Sequence, residues 1–177
     1  DLGSGRIDVV AGNGRKGHDG DGGPAVEASL DGPYEVRFDS AGNTYIVEMQ
    51  GAVVRKVEAR TGVIRTIAGT GEHGFSGDGG PAVKASLSNP HSIALDGAGG
   101  LFIADIGNHR IRRVDLETGT IETIAGNGAK ELPEEGKEAG GRPPFGPRAL
   151  AVPGGALWIA LREGHSVWRM DLKTRKL

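Results

Sequence analysis

Short apolar runs of strand length, each closed by glycine, asparagine or aspartate, recur along the whole chain. In the middle of the sequence they read IRTIAG (Ile64–Gly69), SIALD (Ser92–Asp96), LFIAD (Leu101–Asp105) and RIRRVD (Arg110–Asp115). The breaks GAGG, IGNH and ETG supply residues that tolerate tight-turn geometry. The same four runs appear earlier as IDVVA, EVRFD, TYIVE and VVRKVE, and later as IETIA, ALAV, ALWIA and SVWRMD. After a six-residue lead, DLGSGR, the chain therefore divides into three units of 57 residues: 7–63, 64–120 and 121–177. The first two align without a gap and share 24 of 57 positions. The third keeps IETIAGNG, Pro147, the ALWIA run and MDLKT, needs one deletion near Pro153–Ala156, and has lost the GDGGPA segment. Four antiparallel strands repeated at this period are the unit of a β-propeller blade. The inner-strand candidate Ile93-Ala94-Leu95 is apolar or small throughout, as befits a strand covered on both faces. A solenoid of β-arches would show a shorter period and no regular hairpin turns. The fold class is thus all-β, with four-stranded antiparallel blades, three to the chain.

Composition narrows the chemistry. Glycine supplies 32 of 177 residues and cysteine none, which excludes a disulfide scaffold, a thiolate zinc site and a cysteine nucleophile. The glycines cluster in loops, not at every third position, so collagen is excluded too. Net charge is −2 and the isoelectric point near 6.2, so no global positive field points to nucleic acid or an anionic membrane. No apolar run approaches the ~18 residues needed to span a bilayer, the start lacks the plan of a signal peptide, and the chain reads as soluble.

The string IRTIAGTGEHGFSGDGGPAVKASLSNPHSIALDGAGGLFIADIGNHRIRRVD resembles the NHL-repeat family of β-propellers in its bacterial long-loop form, and teneurin-type propellers carry similar segments. The resemblance implies six blades to a ring. It also implies a ligand- or protein-binding scaffold, and it points to a compartment outside the cytoplasm. If SIALD is an inner strand, the chain opens on an outermost strand, Ile7–Ala11, and ends on a third strand, Ser166–Asp171. Three blades make half of a six-bladed ring. A second copy related by a two-fold axis would close it through Ile7, Val9 and Val10 of one chain and Val167, Trp168 and Met170 of the other. The same need would be met if these residues are half of a longer chain.

The residue after each pre-strand proline starts an inner strand at one mouth of the central channel. The three occupants, Tyr34, His91 and Arg148, form the candidate site for a small ligand or protein. The string PHSIAL also resembles amidating-lyase propellers, whose zinc is held by histidines at such PH positions, which would make His91 a ligand. Tyr34 and Arg148 at the matching positions leave at most two copies of His91 around a dimeric ring, short of a three-histidine centre. No metal or other cofactor is assigned, and a metal-assisted lyase or lactonase at the same mouth is the alternative function. No catalytic residue is assigned: a Ser-His-Asp set is not readable, and His18, His73, His109 and His165 fall in loops or turns. Glu48 and Asp105 are expected to anchor the turns that follow them. Arg55, Lys56, Arg110, Arg112 and Arg113 form a basic cluster without interleaved aromatics, expected to be a solvated strand edge and not a nucleic-acid surface. The long loops 12–32 and 69–89 are expected to hold one helical turn each, with Asp21 or Asp78 accepting its backbone N–H groups, and DGDGG lacks the ligand pattern of an EF-hand loop. The polar segment Lys130–Pro147 is expected to be the most mobile loop, or to shape a partner's surface.

Overall fold

A computed structural model describes Gly3 and residues 5–177; Asp1, Leu2 and Ser4 of the lead lie outside the described residues. Among the described residues the turns leave eleven strands. The first blade holds β1 (Pro33–Phe38), β2 (Thr44–Glu48), β3 (Val53–Val57) and β4 (Ile64–Ala68). The second repeats the plan with β5 (Pro90–Leu95), β6 (Gly100–Asp105), β7 (Arg110–Asp115) and β8 (Ile121–Ala125). The third has three strands: β9 (Pro147–Ala151), β10 (Ala156–Leu161) and β11 (Ser166–Asp171). All neighbours are antiparallel, and the two four-stranded sheets share one register, with Val54 opposite Ala68 and Ile111 opposite Ala125. Residues 7–11, an outermost strand by repeat position, form no strand, and Ile7, Val9 and Val10 are exposed.

The sheets stack face on face because alternate residues of each strand point to opposite sides. Tyr45, Val47 and Val54 of the first blade meet Ile93, Leu101, Ile103 and Val114 of the second. Phe102, Ala104 and Ile111 on the far side of the second meet Leu150, Leu157, Ile159 and Met170 of the third. Two such cores hold three blades.

The long loops close over the blade edges. Each of the first two contains a 3₁₀ turn, Ala25–Glu27 or Ala82–Lys84, and buries the alanine pair Ala25 and Ala28 or Ala82 and Ala85. Neither turn is capped by a side chain. Asp21 and Asp78 are engaged elsewhere, pairing with Arg55 at 2.6 Å and Arg112 at 2.7 Å. The third loop has no such turn, yet Ala139, one repeat after Ala82, is fully buried, and its carbonyl accepts from Gly126 as that of Ala82 accepts from Gly69.

Candidate functional site

The inner strands β1, β5 and β9 lie side by side and bring Tyr34, His91 and Arg148 together. Their spacing is fixed by side chains. The Glu35 carboxylate accepts the Ile93 N–H at 2.7 Å, and one blade on the Ser92 hydroxyl accepts the Leu150 N–H at 3.0 Å. Above this ladder the Tyr34 and His91 rings are in contact, with centroids 3.9 Å apart and planes tilted by 53°. The Arg148 guanidinium reaches past His91 and donates to the Tyr34 hydroxyl at 3.4 Å.

His91 sets the chemistry of this cluster. Its Nδ1 lies 3.0 Å from the Arg148 carbonyl oxygen, which can only accept, so Nδ1 carries the proton. Burial first, then the Arg148 charge, holds its pKa below the ordinary histidine value and keeps the ring neutral near pH 7. Nε2 is then an acceptor; it is buried and has no hydrogen-bond partner. A half-buried guanidinium, an exposed phenol and an unused imidazole acceptor thus share one mouth of the inner-strand layer. Among the described residues no group of three or more His, Cys, Asp or Glu side chains is placed to hold a metal ion, and the cluster offers only His91 as a strong metal ligand.

The other residues singled out in the sequence lie apart from this cluster. His73 Nε2 meets the Gln50 carbonyl oxygen, His109 Nδ1 accepts from Gly146, and His165 lies at an exposed turn. Glu48 and Asp105 accept N–H groups of Asp31 and Ser88 from the loops before their blades, each at 2.7 Å, and Asp105 alone also holds the turn after it, through Asn108. The basic cluster divides. Arg55 and Arg112 are fully buried, which overturns the reading of a solvated edge: each faces a carboxylate on the neighbouring strand, and the preceding loop folds over it. Arg112 donates to Asp78, to the Ser76 carbonyl at 3.0 Å and to that of Ser86 at 3.4 Å, and lies over the Phe75 ring. The signal for this was present in the repeat, since the carboxylate, the arginine and the loop aspartate recur together in units one and two and all three are absent from unit three.

Three stacked antiparallel sheets with converging inner strands define a β-propeller architecture. The NHL repeat model matches residues 87–114, the part of the chain that carries the inner strand, LFIAD and RIRRV. The chain is similar to NHL-repeat proteins, and the match to the repeat itself falls in its second blade. It is 28% identical over 155 residues to NHL repeat-containing protein 2 of Gallus gallus, covering 82% of this chain and 21% of that protein. Its fold is similar to that of a structural genomics protein from Bacteroides thetaiotaomicron, with TM-score 0.63, 19% identity and coverage of 77% of this chain and 34% of the other. It is also similar to an auxiliary nutrient binding protein of the same organism, with TM-score 0.60, 18% identity and coverage of 76% and 36%. The chain thus spans about a fifth of that curated relative and about a third of those solved chains.

Proposed function

We propose that the chain is a non-catalytic binding scaffold, with Tyr34, His91 and Arg148 as its site for a small polar ligand or a protein side chain. The observation that carries this reading is the convergence of one residue from each of three blades, including a buried acceptor with no partner. Buried polar atoms are nearly always paired, and the exceptions mark places where a ligand or water completes the set. The matching ligand offers a hydrogen-bond donor to His91 Nε2 and an anionic or carbonyl oxygen to Arg148 and Tyr34. The fold similarity to a protein named for nutrient binding is consistent with it. A second copy of the chain completes the ring around the site, since hydrophobic faces remain uncovered on the first and third blades. A lyase or lactonase dependent on a metal would need a ligand set that this cluster does not supply.

Ligand-observed NMR with small hydroxy acids and monosaccharides as probes tests the site. Probes that bind are expected to lose binding in Arg148→Ala and Tyr34→Phe and to move the His91 imidazole nitrogen resonances. Binding unchanged in both variants, or no binding by any probe, would overturn the assignment.

A further inference from the structure

We infer that the junction between the second and third blades holds a further binding site, for an apolar α-amino acid, apart from the channel mouth. A cavity of about 250 Å³ lies there, with Asp96, Arg113 and Arg175 as its polar lining and Phe102 and Met170 among its apolar lining. Both of its walls belong to described blades, and Asp96 follows the last residue of β5, whereas His91 is the second residue of that strand. The space comes from a change of residue between repeats. At the first junction Asp39, Tyr45 and Lys56 hold the places of Asp96, Phe102 and Arg113. The Tyr45 hydroxyl donates to Asp39 at 3.1 Å, and the Lys56 ammonium lies over the Tyr45 ring. The corresponding space is divided into two grooves, one lined by Lys56 and the other by Asp39 and Tyr45. Phe102 has no hydroxyl to reach Asp96, and one cavity meets both Asp96 and Arg113.

The charged groups around this cavity are short of partners. The Arg113 side chain is only 26% exposed, yet among the described residues it donates no hydrogen bond; its nearest carboxylates, Asp96 and Asp115, stand 3.9 and 3.7 Å away. A guanidinium fork matches a carboxylate through two parallel N–H bonds, and neither of these carboxylates is close enough to make them. Of the Asp96 carboxylate, Oδ1 accepts the N–H groups of Ala98 and Gly100, each at 2.7 Å, and Oδ2 has only the distant Arg113. An unused donor fork therefore lies beside an unused acceptor oxygen.

Arg175 adds a second guanidinium, and it does so against the preference of the backbone. Its place in the turn after the third strand of a blade belongs to glycine in the other units, Gly62 at φ +69° and Gly119 at φ +71°, and Arg175 has φ +55°. The turn is otherwise the same three times over. Gly62, Gly119 and Arg175 donate to the carbonyls of Glu58, Asp115 and Asp171, and their own carbonyls accept from Ala25, Ala82 and Ala139 at 2.8 Å. A side chain is disfavoured in the left-handed region, so the turn itself does not call for arginine. The ion pair of Arg175 with Glu122, at 2.9 Å between half-exposed side chains, is of a kind that stabilises little. What the arginine supplies is a charge on the cavity. A carboxylate on Arg113 and Arg175, an ammonium on Asp96 Oδ2 and an aliphatic side chain against Phe102 and Met170 satisfy this lining at once. A simple anion would meet the Asp96 charge, and a simple amine would leave Arg113 without an acceptor. A volume of 250 Å³ holds about eight waters at roughly 30 Å³ each, the scale of leucine or methionine.

Isothermal titration calorimetry of the 177-residue chain with L-leucine and L-methionine tests the site. Both are expected to bind, and isocaproate and isoamylamine, which are leucine without its ammonium or its carboxylate, are expected to bind about tenfold more weakly or worse. Phe102→Tyr installs the residue of the first junction, and Arg175→Gly the residue of the other two turns, so both variants are expected to keep the circular dichroism of the parent. Each is expected to weaken leucine binding by about tenfold or more. Leucine binding of equal strength in both variants would place it elsewhere and overturn the assignment. Isocaproate binding as tightly as leucine, or no heat with either amino acid, would overturn it as well.

Discussion

Arg112 is fully buried, with its guanidinium shared among Asp78, Asp105, two loop carbonyls and the Phe75 ring. Burial pushes the Asp105 carboxyl up to about 6, although its hydrogen bonds from Asn108 and Ser88 and the Arg112 charge pull the other way. A carboxyl that holds its proton more tightly folded than unfolded stabilises the fold most below its unfolded value, near 3.8, and loses that stabilisation as pH rises through about 6. Two units correspond to at most about 3 kcal/mol. Urea unfolding between pH 4 and 6 is therefore expected to show stability falling with pH, and Asp105→Asn to flatten that slope; an equal slope in the variant would contradict the assignment. Glu48, beside Arg55, is shifted the same way by burial. At this scale the sequence was only partly readable. The channel-mouth residues followed from position after a proline, whereas a run such as RIRRVD does not say which arginine alternation turns inward until the facing carboxylate and the covering loop are placed.

Among the elements, the glycines after β4 and β8 show how the outer two strands of a blade close against each other. Gly69 is needed both for its positive φ and for the space against Ala52 and Val53. Gly69→Ala is expected to cost about 2–4 kcal/mol in urea unfolding, from left-handed strain and displacement of backbone. Gly79→Ala, with φ +79° and nothing within 4 Å of its Cβ, keeps only the strain, about 1–2 kcal/mol. Equal losses would show that the close approach contributes nothing. Strand order within each sheet was legible, because turn residues mark every hairpin, whereas Ile7–Ala11, expected to be an outermost strand, forms none. The loops were less so. Their aspartates read as helix caps, a local role, but long-range pairing with buried arginines takes them instead, and Ala139 shows that a loop can lose its motif and keep its buried contact.

For the whole molecule, two faces that are closed at each internal junction stand open at the outer blades, and the three channel-mouth residues come from three adjacent inner strands. The period of 57 residues made the blade count readable from sequence alone. It did not say how the blade faces meet, since that depends on which side chains of each strand turn toward the neighbouring blade. Ring closure by a second copy is the central claim, and the mass in solution tests it most directly. Multi-angle light scattering of the 177-residue chain at micromolar concentration is expected to give twice the chain mass of 18.3 kDa, and a mass of 18.3 kDa would contradict it.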